Sequence, residues 1–230
     1  FLEERKISGT ERILFWNPDA TSKYGQVPFT VQAELLRQMT ARKEVSAVLL
    51  AKAYSAVGIE KELLSALAEP LRKKVHIVPH MPIEVYTALI DASDMFVSGD
   101  TGPLHVAACR KFSQSGLPLR NRTAIVAIYG ATDSRMYGYD SVQPFHAPAN
   151  QDVPSRSFSA PAPCRNISCI NKFGKSCAKV RCFDGLPVEE IANDMISYFR
   201  WLDGADLSED LLERQKPIPI MLREEREYAL

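Results

Sequence analysis

The sequence has no long hydrophobic run and no net charge. No apolar stretch approaches the roughly 20 residues that a membrane-spanning helix needs. The 28 Lys and Arg residues balance the 28 Asp and Glu residues, so no global field draws the chain to nucleic acid or to acidic lipid. The start, Phe1 to Arg5, is charged and has neither a methionine nor a signal-peptide pattern. We therefore expect a cytoplasmic protein without a transmembrane segment, and we expect an N-terminal portion to be missing from this chain.

Two patterns that would indicate other enzyme classes are also absent. No GxGxxG motif follows the first predicted strand, which argues against a dinucleotide-dependent oxidoreductase. No Asp-x-Asp pair is present of the kind that chelates a divalent cation while a diphosphate departs. We therefore expect no cofactor and no required metal, and a charged leaving group would have to be stabilised by groups of the protein.

Cysteine is scarce, and four of the five cysteines are clustered. Cys109 lies in an apolar helical stretch, which predicts an inert core thiol. The others follow one another in one loop-like segment: Cys164, Cys169, Cys177 and Cys182. Four thiolates are enough for tetrahedral zinc, but their spacing is looser than that of paired CxxC knuckles. The interpretation that we favour is unligated or transiently oxidised thiols, with a structural zinc site as the alternative.

Short apolar runs alternate with helical periodicity through the first two thirds of the chain. The predicted strands are Ile13 to Trp16, Val45 to Leu50, Val75 to Val78, Met95 to Val97 and Thr123 to Tyr129. Between them, apolar residues recur at helical spacing, as in the stretch from Ile59 to Leu71. This alternation predicts parallel strand pairing, and continuous apolar strands predict a sheet covered on both faces. The fold class is therefore α/β, with a doubly wound parallel sheet.

The character of the sequence changes at about Ser141. Asn150 to Pro163 is rich in Pro, Ser and Ala, and together with the cysteines that follow it predicts irregular loop over 150–186. A helical stripe resumes at Pro187. The charged tail over 203–230 is predicted to form helical pieces that Pro217 and Pro219 interrupt.

The most informative stretch is 98–108, SGDTGPLHVAA, which lies where a predicted parallel strand ends and a helix begins. Ligands of open α/β sheets bind outside the carboxyl ends of the strands. Thr101 can cap the helix, Pro103 suits its first turn, and Gly102 keeps side-chain atoms away from the backbone amides. Amides at a helix N-terminus attract phosphate, and His105 could donate to the same anion from one turn further on. The alternative is a well-capped core helix with a histidine in a structural role.

The motif and its neighbours resemble the family 9 glycosyltransferases, which include the bacterial ADP-heptose:lipopolysaccharide heptosyltransferases. The likeness covers the chain from about Ile13 to Trp201. It is carried by 17–23 (NPDATSK), 78–82 (VPHMP), 100–108 (DTGPLHVAA) and 127–133 (AIYGATD), and by the late cysteine-bearing loop. Several ordered motifs at the right separations are more specific than any one of them.

This resemblance implies a GT-B fold, in which two Rossmann-like domains face each other and the C-terminal one binds the sugar donor. It implies an inverting, metal-independent transfer from a nucleotide diphosphate sugar, which is ADP-heptose in the best-known members, to a lipopolysaccharide core or another glycan. By position, the donor-binding residues would be Thr21, Ser22, Lys23, Met81, Asp100, Thr101, Gly102, Pro103 and His105. Lys23 and His105 would stabilise the leaving group, Met81 would lie against the nucleobase, and Glu60 would hydrogen-bond the ribose.

The residues themselves leave some of these roles open. Lys23 is equally consistent with a solvated surface lysine, and Met81 with a core methionine. Asp100 carries the same sign of charge as a phosphate, so we expect it to accept backbone amides or to hold a sugar hydroxyl instead. No residue of this chain can be assigned as the catalytic base, which the resemblance places in the missing N-terminal half.

The expected organisation is a donor-binding domain over 1–202, including the cysteine-bearing loop 150–186, and a helical tail over 203–230. With the acceptor domain absent, the chain alone is expected to bind donor and to transfer little. A lipid-linked acceptor would bring the protein to the inner face of the inner membrane as a peripheral protein. Two alternatives stay open: a sugar-nucleotide epimerase of the same fold, and a non-catalytic donor-binding module that pairs with another chain.

Overall fold

A parallel six-stranded sheet forms the centre of the computed structural model. The structure describes residues 1–8, 11–22, 24–114, 123–132, 155–160 and 181–204, with the backbone alone at 111–114. The strands are β1 Ile13–Asn17, β2 Ala47–Ala51, β3 Val75–Val78, β4 Met95–Gly99, β5 Ala124–Tyr129 and β6 Ser155–Ser159. The helices are α1 Phe29–Ala41, α2 Ile59–Ser65, α3 Glu69–Arg72, α4 Ile83–Asp91, α5 Gly102–Gln114 and α6 Val188–Leu202. The predicted α/β class is confirmed.

Both faces of the sheet are buried, because alternate residues of each strand enter different cores. Leu14 and Trp16 of β1 belong to a cluster that also contains apolar residues of α1 and α6. Ile13 and Phe15 belong to a second cluster with apolar residues of α4 and α5. All five residues of β1 are buried, which explains why its sequence is continuously apolar and does not alternate. The doubly wound arrangement follows from these two layers of helices.

The strand order is β3-β2-β1-β4-β5-β6. The chain therefore moves outward from β1 to β2 and β3 on one side, and then returns to place β4 against the other edge of β1. Such a reversal is the topological switch point of an open α/β sheet, and a crevice forms there outside the carboxyl ends of the strands. In this chain those ends are Asn17 of β1 and Gly99 of β4.

At the opposite end of the same two strands, charged side chains connect the sheet to α6. The guanidinium of Arg12 donates to Asp94 at 3.0 Å, to Asp203 at 2.8 Å and to the carbonyl of Leu202 at 3.0 Å. Asp94 also accepts the backbone N–H of Ile13 at 2.7 Å. Burial raises the pKa of Asp94, while the Ile13 amide and Arg12 act against that rise. The amino ends of β1 and β4 are thus joined by paired charges.

Three expectations need correction. Residues 155–159, predicted as part of an irregular loop, form the edge strand β6; its sequence, SRSFS, has the polar character that an edge strand tolerates. The amphipathic stretch from Ile59 to Leu71 is two helices, because Pro70 lacks the N–H that a continuing helix requires and instead lies in the first turn of α3. Cys109 is exposed, since α5 turns Ala107 and Ala108 toward the core instead.

Within the described ranges, no helix combines the length and the apolar character that a membrane span requires.

Candidate functional site

The loop between β1 and α1 is fixed by two glutamines. Gln32 of α1 donates to the carbonyls of Pro18 and Val27 at 3.1 and 2.8 Å, and accepts the indole N–H of Trp16 at 3.0 Å. Gln26 donates to the Pro18 carbonyl at 2.6 Å and accepts the Ala20 amide at 2.9 Å. Because Gln32 is only 1 % exposed, these bonds satisfy an amide that would otherwise be costly to bury. The loop is thereby held over the carboxyl end of the sheet.

A buried polar network joins β1 to the loop that follows β4. The amide nitrogen of Asn17 donates to Ser98 Oγ at 3.0 Å and approaches Thr101 Oγ1 at 3.4 Å, while the two hydroxyls lie 2.9 Å apart. Thr101 was expected to cap α5 and to contact phosphate. Its side chain is 9 % exposed and belongs to this network, so it positions the strand-to-helix loop from beneath. Its backbone remains part of the cleft described below.

Glycines allow the two loops to approach each other closely. A Cβ atom on Gly99 would lie 2.5 Å from the carbonyl oxygen of Gly25, and one on Gly25 would lie 3.0 Å from the carbonyl oxygen of Asp100. The distance at Gly99 is shorter than real Cβ contacts permit, so a larger residue there would push the loops apart, while the contact at Gly25 is tight. Gly102 is different, because a Cβ atom there would meet nothing within 4 Å. The first position of α5 therefore faces open space.

That open space is a cleft of about 160 Å³ at the switch point. We call it the switch-point cleft. Its walls come from the segments that follow β1, β2 and β4, and from α4: Asn17, Asp19, Ala20, Thr21, Ala51, Lys52, Tyr54, Ser55, Tyr86, Thr101, Gly102 and Pro103. The first turn of a helix has amides without intrahelical partners, and the helix dipole adds positive potential there. Together with the ammonium of Lys52, the α5 N-terminus makes this cleft suitable for an anion.

Asp19 fixes the far wall of the cleft. Its carboxylate accepts the backbone N–H groups of Tyr54, Ser55 and Ala56, each at 2.8 Å. These three amides follow β2, so one side chain from the β1 loop holds the β2 loop in place. The phenol ring of Tyr54 is stacked on His80, with ring centroids 3.7 Å apart and planes 9° from parallel. Tyr54 is 68 % exposed and gives the rim of the cleft an aromatic face.

Asp100 and His105 form a pair beside the cleft. His105 Nε2 lies 3.7 Å from one carboxylate oxygen of Asp100, and Thr132 donates its hydroxyl to the other at 2.5 Å. The side chain of His105 is 45 % exposed, against 19 % for Asp100. Asp100 was expected to accept backbone amides or to hold a sugar hydroxyl. In the structure its carboxylate accepts the Thr132 hydroxyl and lies near the imidazole of His105, at a distance too long for a hydrogen bond.

Tyr86 enters the cleft from α4. Its ring packs on Phe15 of the sheet, with centroids 5.0 Å apart. Burial raises the pKa of its phenol well above the usual range, and the charges of Tyr54 and Asp19 add to the rise. The hydroxyl therefore stays protonated and can act as a hydrogen-bond donor.

The structure brings some of the predicted donor-binding residues together and separates others. Thr21, Thr101, Gly102 and Pro103 line the switch-point cleft, whereas Asp100 and His105 are not among its lining residues and lie near each other. Ser22 is exposed, and its hydroxyl accepts the amide of Tyr24 at 3.3 Å. Met81 is half-buried and packs against the second core cluster. Lys23 lies outside the described residues.

Other residues with a predicted role lie away from the cleft or outside the described residues. Glu60 is 1 % exposed and accepts the Ala53 amide at 3.5 Å, so the structure does not present it to a ribose. Cys182 is buried and not in a disulfide, whereas Cys164, Cys169 and Cys177 lie outside the described residues. So does the tail beyond Gly204. Among the residues described, no three His, Cys, Asp or Glu side chains come close enough to hold a metal ion.

Sequence reasoning gave no site role to several residues of the cleft, and those with polar or aromatic side chains of interest are Asp19, Lys52, Tyr54 and Tyr86. A signal for two of them was available, since Lys52 directly follows β2 and Tyr54 comes two residues later. The rule that placed the 98–105 motif at the carboxyl end of a strand applies equally to them. Tyr86 gave no such signal, because it is an aromatic residue in an amphipathic helix.

A larger and more open groove of about 380 Å³ lies between α4 and α5, lined by Ile83, Glu84, Thr87, Ala88, Asp91 and Arg110. Two of its three charged groups, Asp91 and Arg110, are paired with each other. The groove also runs along the bodies of the helices and not at the carboxyl ends of the strands. We therefore take the smaller switch-point cleft as the functional site.

A parallel doubly wound sheet with a polar crevice at its switch point defines a class of domains that bind their ligands at that crevice. The chain belongs to glycosyltransferase family 9 (heptosyltransferase), whose model matches residues 6–172. No curated protein matches the sequence.

Two solved structures show the same fold. One is E. coli ADP-heptose LPS heptosyltransferase II, at 16 % identity and a TM-score of 0.61, covering 89 % of this chain and 51 % of that one. The other is the family 9 glycosyl transferase from Veillonella parvula DSM 2008, at 12 % identity and a TM-score of 0.60, covering 86 % of this chain and 48 % of that one. The chain thus spans about half the length of these relatives.

Proposed function

We propose that this chain is the donor-binding part of a glycosyltransferase, and that its switch-point cleft binds a nucleotide diphosphate sugar. The reaction is an inverting transfer that requires no metal. An acceptor oxygen forms a bond to the anomeric carbon, the bond from that carbon to the diphosphate breaks, and the bonding electrons leave on the diphosphate. The proton of the acceptor hydroxyl goes to a base outside the residues described here.

The observation that supports this proposal most directly is the open position of Gly102. Its missing side chain faces a cleft at the N-terminus of α5, where backbone amides can reach a phosphate oxygen. His105 follows one turn later, with its Nε2 atom 3.7 Å from the Asp100 carboxylate. As negative charge develops on the leaving diphosphate, these amides, His105 and Lys52 supply compensating positive potential.

For the donor we propose an ADP-sugar, and ADP-heptose in particular. The support is the family, together with the E. coli relative of similar fold, whose name specifies ADP-heptose. A lipopolysaccharide core or another glycan is the corresponding acceptor. A lipid-linked acceptor of this kind would be reached by peripheral attachment to the inner face of the inner membrane.

The proposal is tested by calorimetry with ADP, compared with UDP and GDP. The wild-type chain should bind ADP, and His105→Ala should weaken that binding about tenfold or more, because a charge-assisted hydrogen bond to the diphosphate is lost. Addition of EDTA should leave the affinity unchanged.

His76→Ala serves as the matched control, since His76 is a half-buried histidine of β3 outside the cleft. It should bind ADP as the wild type does. Absence of binding to all three nucleotides would contradict the proposal, and equal affinity in the wild type and His105→Ala would remove His105 from the site. Formation of an epimerised sugar nucleotide from the donor alone would favour the epimerase alternative.

A further inference from the structure

The hydroxyl of Tyr86 is buried without a hydrogen-bond partner among the described residues. The great majority of buried hydroxyls in folded proteins have a partner, and each exception needs an explanation. Replacing this oxygen by hydrogen would relieve the free chain of an unsatisfied polar group. A group that makes the free protein less stable is a candidate for one that acts when a ligand is bound.

The position of the hydroxyl indicates where that ligand lies. The ring of Tyr86 packs on Phe15 of β1, which fixes the inner end of the side chain against the sheet. The charged and polar groups that act on its hydroxyl are Tyr54 and Asp19, and both residues line the switch-point cleft. Tyr86 itself lines the cleft, so the hydroxyl end of its side chain lies at the cleft wall, beneath its surface.

Among the described residues, no group of the cleft wall lies within hydrogen-bond distance of the hydroxyl. The Asp19 carboxylate already accepts three backbone amides at 2.8 Å. The ring of Tyr54 is stacked on His80 at the rim. A phenol O–H in this place can donate to an oxygen that enters the cleft, and such acceptor oxygens are abundant on a nucleoside diphosphate.

We propose that Tyr86 is a donor-binding residue, and that its hydroxyl donates a hydrogen bond to an oxygen of the bound nucleoside diphosphate. This inference rests on the proposed function and extends the donor site to a residue of α4, the helix that packs beside α5 on the same face of the sheet. The oxygen belongs either to the diphosphate or to the ribose. Because the hydroxyl is covered in the free chain, a side chain at the rim moves aside when the nucleotide enters.

The test is Tyr86→Phe, which removes one oxygen and keeps the ring on Phe15. The melting temperature of the free variant should rise by about 2–4 °C, since an unsatisfied buried group is removed. Its affinity for ADP, measured by calorimetry, should fall about three- to tenfold. A parallel titration with inorganic pyrophosphate assigns the acceptor: a loss there too indicates a phosphate oxygen, and a loss with ADP alone indicates the ribose.

Tyr198→Phe is the control, because Tyr198 is a fully buried tyrosine of α6 in the core cluster on the other face of the sheet. Its ADP affinity should equal that of the wild type. If Tyr86→Phe binds ADP as the wild type does while His105→Ala binds it more weakly, the inference about Tyr86 is wrong and the donor site stands. A lower melting temperature in Tyr86→Phe would show that the hydroxyl is already bonded in the free chain, which also overturns the inference. If the wild type binds no ADP, UDP or GDP, both the inference and the proposed function fall.

Discussion

The two ends of β1 and β4 are built from different chemistry. At their amino ends, Arg12 joins Asp94 and Asp203 in a set of paired charges that fastens the sheet to α6. At their carboxyl ends, the neutral groups of Asn17, Ser98 and Thr101 bond to one another beneath a cleft. The same two strands therefore carry a closed end, whose polar groups stabilise the fold, and an open end, whose helix amides face solvent. The paired charges and the helix amides that face the cleft thus lie at opposite ends of the same two strands.

The largest expected effect concerns two glycines at the open end, one of which packs the loops together while the other leaves room for a ligand. Gly99→Ala should lower the free energy of unfolding by about 3 kcal/mol or more, because the new methyl group would overlap the backbone of Gly25. Gly102→Ala should leave the melting temperature nearly unchanged, because its methyl group meets open space. The same methyl group should weaken ADP binding roughly tenfold by obstructing the amides of α5.

Urea unfolding and ADP titration of the two variants check this pair. Two results would contradict the distinction between a packing glycine and a binding glycine: wild-type stability in Gly99→Ala, or wild-type ADP affinity in Gly102→Ala.

At the closed end, Arg12→Ala should destabilise the fold by roughly 2 kcal/mol, because Asp94 is left largely buried without its cation. ADP affinity should not change, since Arg12 lies at the far end of the strands from the cleft. Thermal unfolding and calorimetry of the same preparation give both values. Arg12→Lys is the control: it keeps the charge but loses the forked geometry, and should recover part of the stability. A parallel loss of ADP affinity would show that the two ends are coupled.

The smallest effect concerns a second ion pair at the closed end, between Arg200 of α6 and Glu44 at 2.7 Å. Burial alone would raise the pKa of Glu44, but the hydrogen bond from Arg200 lowers it below its ordinary value of 4.5. Because the pKa is lower in the folded state, the pair stabilises the fold above about pH 4.5, and this contribution is lost as the pH falls through the folded-state pKa. Arg200→Ala should therefore cost about 1 kcal/mol at pH 7, since Arg200 is half-exposed and screened by solvent.

The pH dependence provides the sharper test. Without Arg200, burial raises the pKa of Glu44, so the variant should gain stability relative to the wild type as the pH falls. The difference in the free energy of unfolding should shrink toward zero in acid. A difference that stays constant from pH 7 to pH 3 would exclude Glu44 as its source.

The core of the fold could be predicted from sequence because burial on both faces leaves a strong signal. β1 to β5 are apolar runs of four to six residues separated by helical periodicity, and each was located to within two or three residues. β6 gave no such signal, because an edge strand with the sequence SRSFS needs no apolar alternation. Its place beside β5 depends on backbone hydrogen bonds, which any sequence can make. The break at Pro70 was visible in the sequence, but it was outweighed by the leucine pattern around it.

The candidate site was predicted only where its residues are contiguous in sequence. Gly102 and Thr101 could be identified because a strand end, a glycine and a helix start follow one another within a few residues. Asp19 could not be recognised from sequence, because its partners are amides 35 to 37 residues away, and any residue type there would supply them. Tyr86 could not be recognised either, because only the three-dimensional arrangement shows that its buried hydroxyl has no hydrogen-bond partner among the described residues.

The hydrogen bonds of Asp19 also make the two sides of the cleft chemically different. Three successive amides after β2 would form a good receptor for an anion, but a carboxylate of the same chain already fills it. An incoming diphosphate would therefore find its amides on the α5 side alone, and the reverse orientation would place phosphate oxygens next to Asp19. Under the proposed function, this occupied set of amides would therefore define which way round a donor lies, and hence which of its bonds is presented for cleavage.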